Sequence, residues 1–106
     1  MKIQCACGAT IHDGTDDLLH KAHVIPDQLW NKLFGDIDDL IENRCATATQ
    51  RDAACTQIRS LIGAATRLAW QCAACGRLHL DDAGRRVQTF PPETSDTPRE
   101  LFRAVK

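Results

Sequence analysis

Cys72-Ala73-Ala74-Cys75-Gly76 decides how this chain is read, and it has a counterpart near the other end, Cys5-Ala6-Cys7-Gly8. In each stretch two closely spaced cysteines are followed by a glycine. Glycine tolerates positive φ, so the backbone can fold back there and aim amide N–H groups at the sulfurs. Two such turns supply four thiolates, which is the ligand set of a closed tetrahedral zinc centre. The spacing predicts one Zn2+ held by Cys5, Cys7, Cys72 and Cys75; buried or redox-active thiols are the alternative.

The residues around each turn read as short strands. Lys2 to Cys5 leads into the first turn and Ala9 to His12 leads out. Leu68 to Gln71 leads into the second, and Gly76 to Leu80 leaves it with Leu78 and Leu80 alternating with Arg77 and His79. Asp81-Asp82-Ala83-Gly84 carries hairpin-turn chemistry, with Arg85 to Phe90 as the returning strand and Pro91-Pro92 as its stop. Asp13-Gly14 marks a turn, and Thr15 to Ile25 lacks a clean period and reads as a partly ordered loop. Arg99 to Lys106 is expected to form a short helix or to fray.

Between the two halves lies helical sequence. Pro26 suits the first turn of a helix, and Asp27 complements the helix dipole there. Leu29, Trp30, Leu33, Phe34, Ile37, Leu40 and Ile41 recur at steps of three and four, an amphipathic stripe. Gly35 interrupts this helix without evident reason beyond close packing. A second helix from Gln50 or Arg51 to about Thr66 carries Ala54, Ile58, Leu61, Ile62 and Ala65. The short connector makes an antiparallel pair. Trp30, Phe34, Ile37, Ile58, Leu61 and Trp70 are expected in a core between the pair and the small sheet.

The fold class expected is therefore α+β: a small antiparallel sheet with an inserted antiparallel helical hairpin. The chain has 106 residues, 43% apolar and 25% charged, and reads as one soluble domain, 1–106. Its sheet halves fall at about 1–12 and 66–92, its insertion at about 26–66 and its tail at 93–106. No apolar leader precedes Cys5 and no run approaches the roughly 20 apolar residues of a membrane span, so a cytoplasmic protein with reduced thiols and no membrane partner is expected.

Charge is distributed unevenly. Asp13 to Glu42 holds eight acids against two lysines, a net of −6 in a chain whose total is −1. The acids Asp16, Asp17, Asp36, Asp38, Asp39 and Glu42 are candidates for contact with a basic protein partner, or a solvated face. The basic residues Arg77, Arg85 and Arg86, with Arg51, Arg59 and Arg67, are scattered, and the pI near 6.4 is low for a nucleic-acid binder. Catalysis finds little support. A four-thiolate shell leaves no position for water on the metal. His20 and His23 lack a third ligand, and His12 and His79, each shortly after a cysteine turn and able to replace a cysteine, read instead as surface or half-buried strand histidines. The neighbours Asp16 and Asp17, and Asp38 and Asp39, point in different directions and read as solvated. Cys45 and Cys55 bracket the interhelical connector and read as free thiols.

The layout of strands and cysteine turns resembles a zinc ribbon over roughly residues 1–12 and 66–92. The whole pattern also resembles small bacterial proteins that open with a CxCG turn, carry an Ile25-Pro26-Asp27 helix start and close with a CxxCGRL stretch, Cys72 to Leu78 here. In size, acidity and lack of catalytic apparatus the chain is similar in type to immunity proteins, which bind and block one cognate toxin. That resemblance implies a non-catalytic protein neutralising a basic toxin such as a nuclease. A ribbon that binds nucleic acid and a regulatory adaptor are the alternatives.

Overall fold

The computed structural model describes residues 1–84 and 86–105. They form an α+β fold of two small antiparallel sheets with a helical pair inserted between strands. The chain divides into two compact units. One comprises Met1–Val24 and the chain from Arg67 onward, and the other is Ile25–Thr66.

In the first unit, β1 (Lys2–Gln4) and β2 (Thr10–His12) pair antiparallel with Ile3 opposite Ile11. Both isoleucines point inward, while Gln4 and Thr10 hydrogen-bond on the outer face, the period-two alternation of a sheet with one buried side. The larger sheet runs β3 (Lys21–Val24), β4 (Arg67–Gln71), β5 (Leu78–Asp81) and β6 (Val87–Phe90), all neighbours antiparallel. β4 is internal to this sheet, and Ala69, Trp70 and Gln71 are all buried. Ile3, Cys5, Ile11, Trp70 and Cys72 make one core cluster, with Ala9, Leu68 and Cys75 packed against it.

β3 corrects the expectation of a loop over Thr15 to Ile25. Lys21-Ala22-His23-Val24 does alternate polar and apolar residues, but over four residues only, the shortest run that can mark a strand, inside a stretch without a clean period. It becomes a strand because the free edge of β4 offers its ladder, with Lys21 opposite Trp70 and Val24 opposite Arg67. The Gln71 amide extends the pairing by donating to the His20 carbonyl at 2.8 Å.

The β5–β6 turn is built on Asp82. Its carboxylate accepts from the amides of Gly84 (2.7 Å) and Arg86 (3.0 Å) and from the Gln88 side chain (3.0 Å). These donors, Gln88 foremost, hold the Asp82 carboxyl below its usual range. Arg85, the expected first residue of the last strand, lies outside the described residues; β6 begins at Val87. His79 is buried on β5 rather than at the surface or half-buried, and its Nδ1 pairs with the Thr89 hydroxyl at 3.0 Å. Burial first, and the Arg77 charge second, lower its pKa, so the ring is neutral near pH 7.

The C-terminal segment forms no helix among its described residues, Arg99 to Val105. It is fastened back by the fully buried Gln71. The Gln71 side chain donates from Nε2 to the carbonyls of Pro98 (2.8 Å) and Gly76 (3.4 Å), and its Oε1 accepts from the Leu101 amide at 2.9 Å. Arg99 adds a hydrogen bond to the Ala74 carbonyl.

The second unit is a helix pair. α1 spans Asp27–Asn43, with Pro26 at its N-cap and Asp27 in its first turn. α2 spans Ala48–Ala65, starting earlier than expected because Thr47 and Gln50 form a capping box. The Thr47 hydroxyl accepts from the Gln50 amide at 3.1 Å, and the Gln50 side chain accepts from the amides of Thr47 and Ala46. Leu33 and Leu40 of α1 and Ala54 of α2 are its buried residues. Ile37, Ile58 and Leu61 are half-buried.

Trp30 and Phe34 correct the expected core. They remain 44% and 46% exposed, with their rings edge to face at 4.7 Å between centroids. The reason is angular. Leu33 and Leu40, seven apart, share one line along the helix. Residues step by about 100°, which puts Trp30, Phe34 and Ile41 on a neighbouring line that a single partner helix does not cover. Gly35 meets no neighbouring atom within 4 Å of where a Cβ would stand, so close packing does not explain it.

Candidate metal centre

The two cysteine turns have the same hydrogen-bond plan at different lengths. In the first, the Cys5 amide donates to the Ala9 carbonyl at 2.9 Å and the Gly8 amide returns to the Cys5 carbonyl at 3.0 Å. In the second, the Cys72 amide donates to the Arg77 carbonyl at 2.9 Å and the Gly76 amide to the Cys72 carbonyl at 2.8 Å. The second turn holds one residue more between its cysteines. Gly8 and Gly76 have φ of 96° and 85°, so both glycines are required by backbone conformation.

The turns bring together four sulfurs from opposite ends of the chain. Cys5 Sγ lies 3.6 Å from Cys75 Sγ, and Cys7 Sγ lies 3.6 Å from Cys72 Sγ. All four fall within 4.8 Å of one another. A metal–sulfur bond of about 2.3 Å implies a tetrahedron edge of about 3.8 Å, so this spacing fits one ion held by four thiolates. Cys5 and Cys72 are buried, Cys75 is half-buried and Cys7 is exposed.

The surroundings also suit thiolates. Burial pushes the Cys72 thiol up to about 11, against the pull of hydrogen bonds from the Cys75 and Ala74 amides. Burial opposes ionisation of Cys75 as well. There, hydrogen bonds from the Arg77 amide and guanidinium win, with help from Cys5 and Cys72, and bring it down to about 6. Arg77 Nη1 stands 3.3 Å from Cys75 Sγ. A bound cation would favour the thiolate form of all four sulfurs and offset the cost of burying Cys72.

In the sequence Arg77 reads as a strand residue alternating with Leu78 and Leu80 and as one of the scattered basic residues. Its position directly after Cys75-Gly76 was the available signal, because the turn that aims its amide at the sulfur also carries its side chain back. Two further residues brace the centre. Asp13 accepts from Trp70 Nε1 at 2.9 Å and from Lys21 Nζ at 3.0 Å, tying the end of the first hairpin to the core beneath the cysteines. Gln71 precedes Cys72 and secures the C-terminal segment around the second turn.

The other candidates lie apart from the sulfurs. His20 Nε2 contacts the His12 carbonyl at 2.7 Å, and no histidine joins the four cysteines among the described residues. Cys45 Sγ donates to the Leu40 carbonyl at 3.4 Å, and no disulfide joins it to Cys55.

The acids divide between the two units. Asp16 and Asp17 are exposed in the turn before β3, where Asp17 takes a φ of 60°. Asp36, Asp38, Asp39 and Glu42 lie on α1. Asp36 is half-buried and pairs with Lys32 at 2.7 Å, and the exposed Asp39 accepts from Asn43 at 2.7 Å. Asp38 and Glu42 are exposed with no ion-pair partner among the described residues. No helix among those residues is long and apolar enough to cross a membrane.

No curated protein and no solved structure matches the chain. One family model does, over residues 1–99, cysteine turns and helical insertion included, and the chain therefore belongs to the family described as domain of unknown function DUF8617.

Proposed function

We propose that this protein is a non-catalytic, cytoplasmic zinc-binding protein that acts by stoichiometric protein–protein binding, as an immunity protein neutralising a basic toxin such as a nuclease. Zn2+ is the ion that best matches four thiolates at near-tetrahedral spacing, and with all four engaged it keeps no position for substrate. Cys5, Cys7, Cys72 and Cys75 would hold it, and Arg77 would offset part of the charge of the thiolates. The zinc then has a structural task, cross-linking the two ends of a small domain.

The observation that carries the binding role is the surface of α1. This helix holds five acids against Lys32, a net of −4, and four of the five are exposed. Such a surface draws a basic partner in quickly and blocks the path of a polyanionic substrate. The test is co-expression with the product of the adjacent reading frame. Protection of the host and a stable one-to-one complex are expected, with Asp38→Lys/Glu42→Lys slowing association and reducing its salt dependence. A protein that neither protects nor forms a complex, and that retains RNA or DNA through purification with a steep salt dependence, belongs instead to the nucleic-acid-binding ribbons.

A further inference from the structure

We infer that α1 carries a docking surface for an amphipathic basic helix, made by an apolar line of Trp30, Phe34 and Ile41 and an acidic rim of Asp27, Asp38 and Glu42. The inference rests on the protein-binding reading above and specifies where and how the partner is held.

Trp30, Phe34 and Ile41 are 44%, 46% and 55% exposed on a chain with only two tryptophans and three phenylalanines. Leaving two of these five side chains in water on one helix forgoes burial of the largest apolar groups the chain has. At about 100° per residue the three fall within about 40° of one another around the helix axis. Asp27, Asp38 and Glu42 fall along one edge of that line, and Phe34, Asp38 and Glu42 follow each other at steps of four.

None of the three rim acids has an ion-pair partner among the described residues. Asp36, on the side of α1 that carries Leu33 and Leu40, does have one, in Lys32. Of the four α1 acids without an ion-pair partner among the described residues, three stand beside the uncovered apolar line, and the fourth, Asp39, accepts a hydrogen bond from Asn43. The surface runs from Asp27 to Glu42, about 22 Å at 1.5 Å per residue, which matches four turns of a second helix.

Charge selects the occupant. A second copy of this chain would bring two helices of net −4 together, and like charges across an interface oppose association. A helix with aliphatic residues on one face and Lys or Arg along its edge satisfies both features. Aromatic anchors with a charged rim are the usual arrangement where a few side chains dominate affinity.

The metal-loaded chain of residues 1–106 is titrated with a synthetic helical peptide of about 18 residues, leucine on one face and lysine along one edge, long enough to span the surface. The control peptide has glutamate in place of lysine. Titration calorimetry reads binding for every variant, and Trp30 emission reports it as well where Trp30 is kept, because Trp70 is buried in the core of the other unit. The lysine peptide is expected to bind and the control is not. Trp30→Ala and Phe34→Ala should each weaken binding about tenfold or more, while the melting temperature moves by less than about 4 °C. Asp38→Lys should weaken binding and flatten its salt dependence.

Any of four results overturns the inference: equal binding of both peptides, unchanged affinity in Phe34→Ala, a large loss of melting temperature in Trp30→Ala, or a dimer of the free protein that Trp30→Ala disperses. Host protection is scored separately. Protection that survives Trp30→Ala/Phe34→Ala sinks the docking surface and spares the immunity role. Peptide binding without protection does the reverse.

Discussion

The indole N–H of Trp70 donates to the carboxylate of Asp13 across 2.9 Å, linking the residue that closes the first hairpin to the strand that enters the second cysteine turn. The link closes a ring of contacts, since the Asp13 amide bonds the Met1 carbonyl and its own carbonyl accepts from the Met1 ammonium.

Removing that carboxylate leaves a buried indole N–H and the Lys21 ammonium without their partner. Asp13→Ala should cost about 1–3 kcal/mol in chemical denaturation. Lys21 first, and Trp70 second, hold the Asp13 carboxyl below its ordinary value. A carboxylate lowered in this way stabilises the fold above its unfolded pKa, and the contribution is lost as pH falls through the folded value. The stability gap between wild type and Asp13→Asn should therefore be full near about pH 6 and narrow below about pH 4. A gap that widens on acidification would contradict this account.

Metal analysis of purified protein should find about one zinc per chain. Structural zinc contributes about 10–16 kcal/mol of apparent folding free energy in small finger peptides. Cys72→Ser, at a buried cysteine of the cluster, should therefore abolish the cooperative melt. Apo-protein prepared with a chelator should melt far below the loaded form, and equal melting of the two would remove the metal from the structure.

Gln71→Ala should release the C-terminal segment. Its side chain satisfies the Leu101 amide and the Pro98 carbonyl from a fully buried position. Loss of about 1–3 kcal/mol is expected. Hydrogen exchange at the Leu101 amide should accelerate well before exchange in β4 does, and uniform acceleration would point to a general loss of stability instead.

Gly35→Ala should stabilise the protein. Gly35 lies inside α1 in open space, so a methyl group meets no obstacle and the helix gains about 1 kcal/mol. A lower melting temperature for this variant would mean that the exposed surface of α1 is under a constraint not visible in its packing.

The parts legible in the sequence are those where a local rule carries the information. The paired turns at Cys5 to Gly8 and Cys72 to Gly76 announce themselves through spacing and glycine, because the conformation requires both. α1 and α2 follow from three–four periodicity, and β4, β5 and β6 from their position around the second turn. The rest depends on partners distant in sequence. β3 is a strand because β4 is beside it. Asp13 reads as a turn residue until Trp70, 57 positions later, comes within reach. Gln71 looks like an ordinary strand residue until the chain returns at Pro98. Trp30 and Phe34 belong to a periodic stripe, and periodicity marks an apolar line without saying whether anything covers it.

The pairing of β3 with β4 has a further consequence. Val24 and Arg67 are ladder partners, so their Cα atoms stand about 5 Å apart although the whole helical segment runs between them. In topological terms that segment is the loop of a β-hairpin. An Asn-Gly turn spans the same gap. The helices are therefore a cassette, removable without cutting any strand of the cysteine-bearing unit. A chain built this way can exchange or reshape its helices by insertion, deletion or recombination at two neighbouring points, while the four cysteines keep their positions.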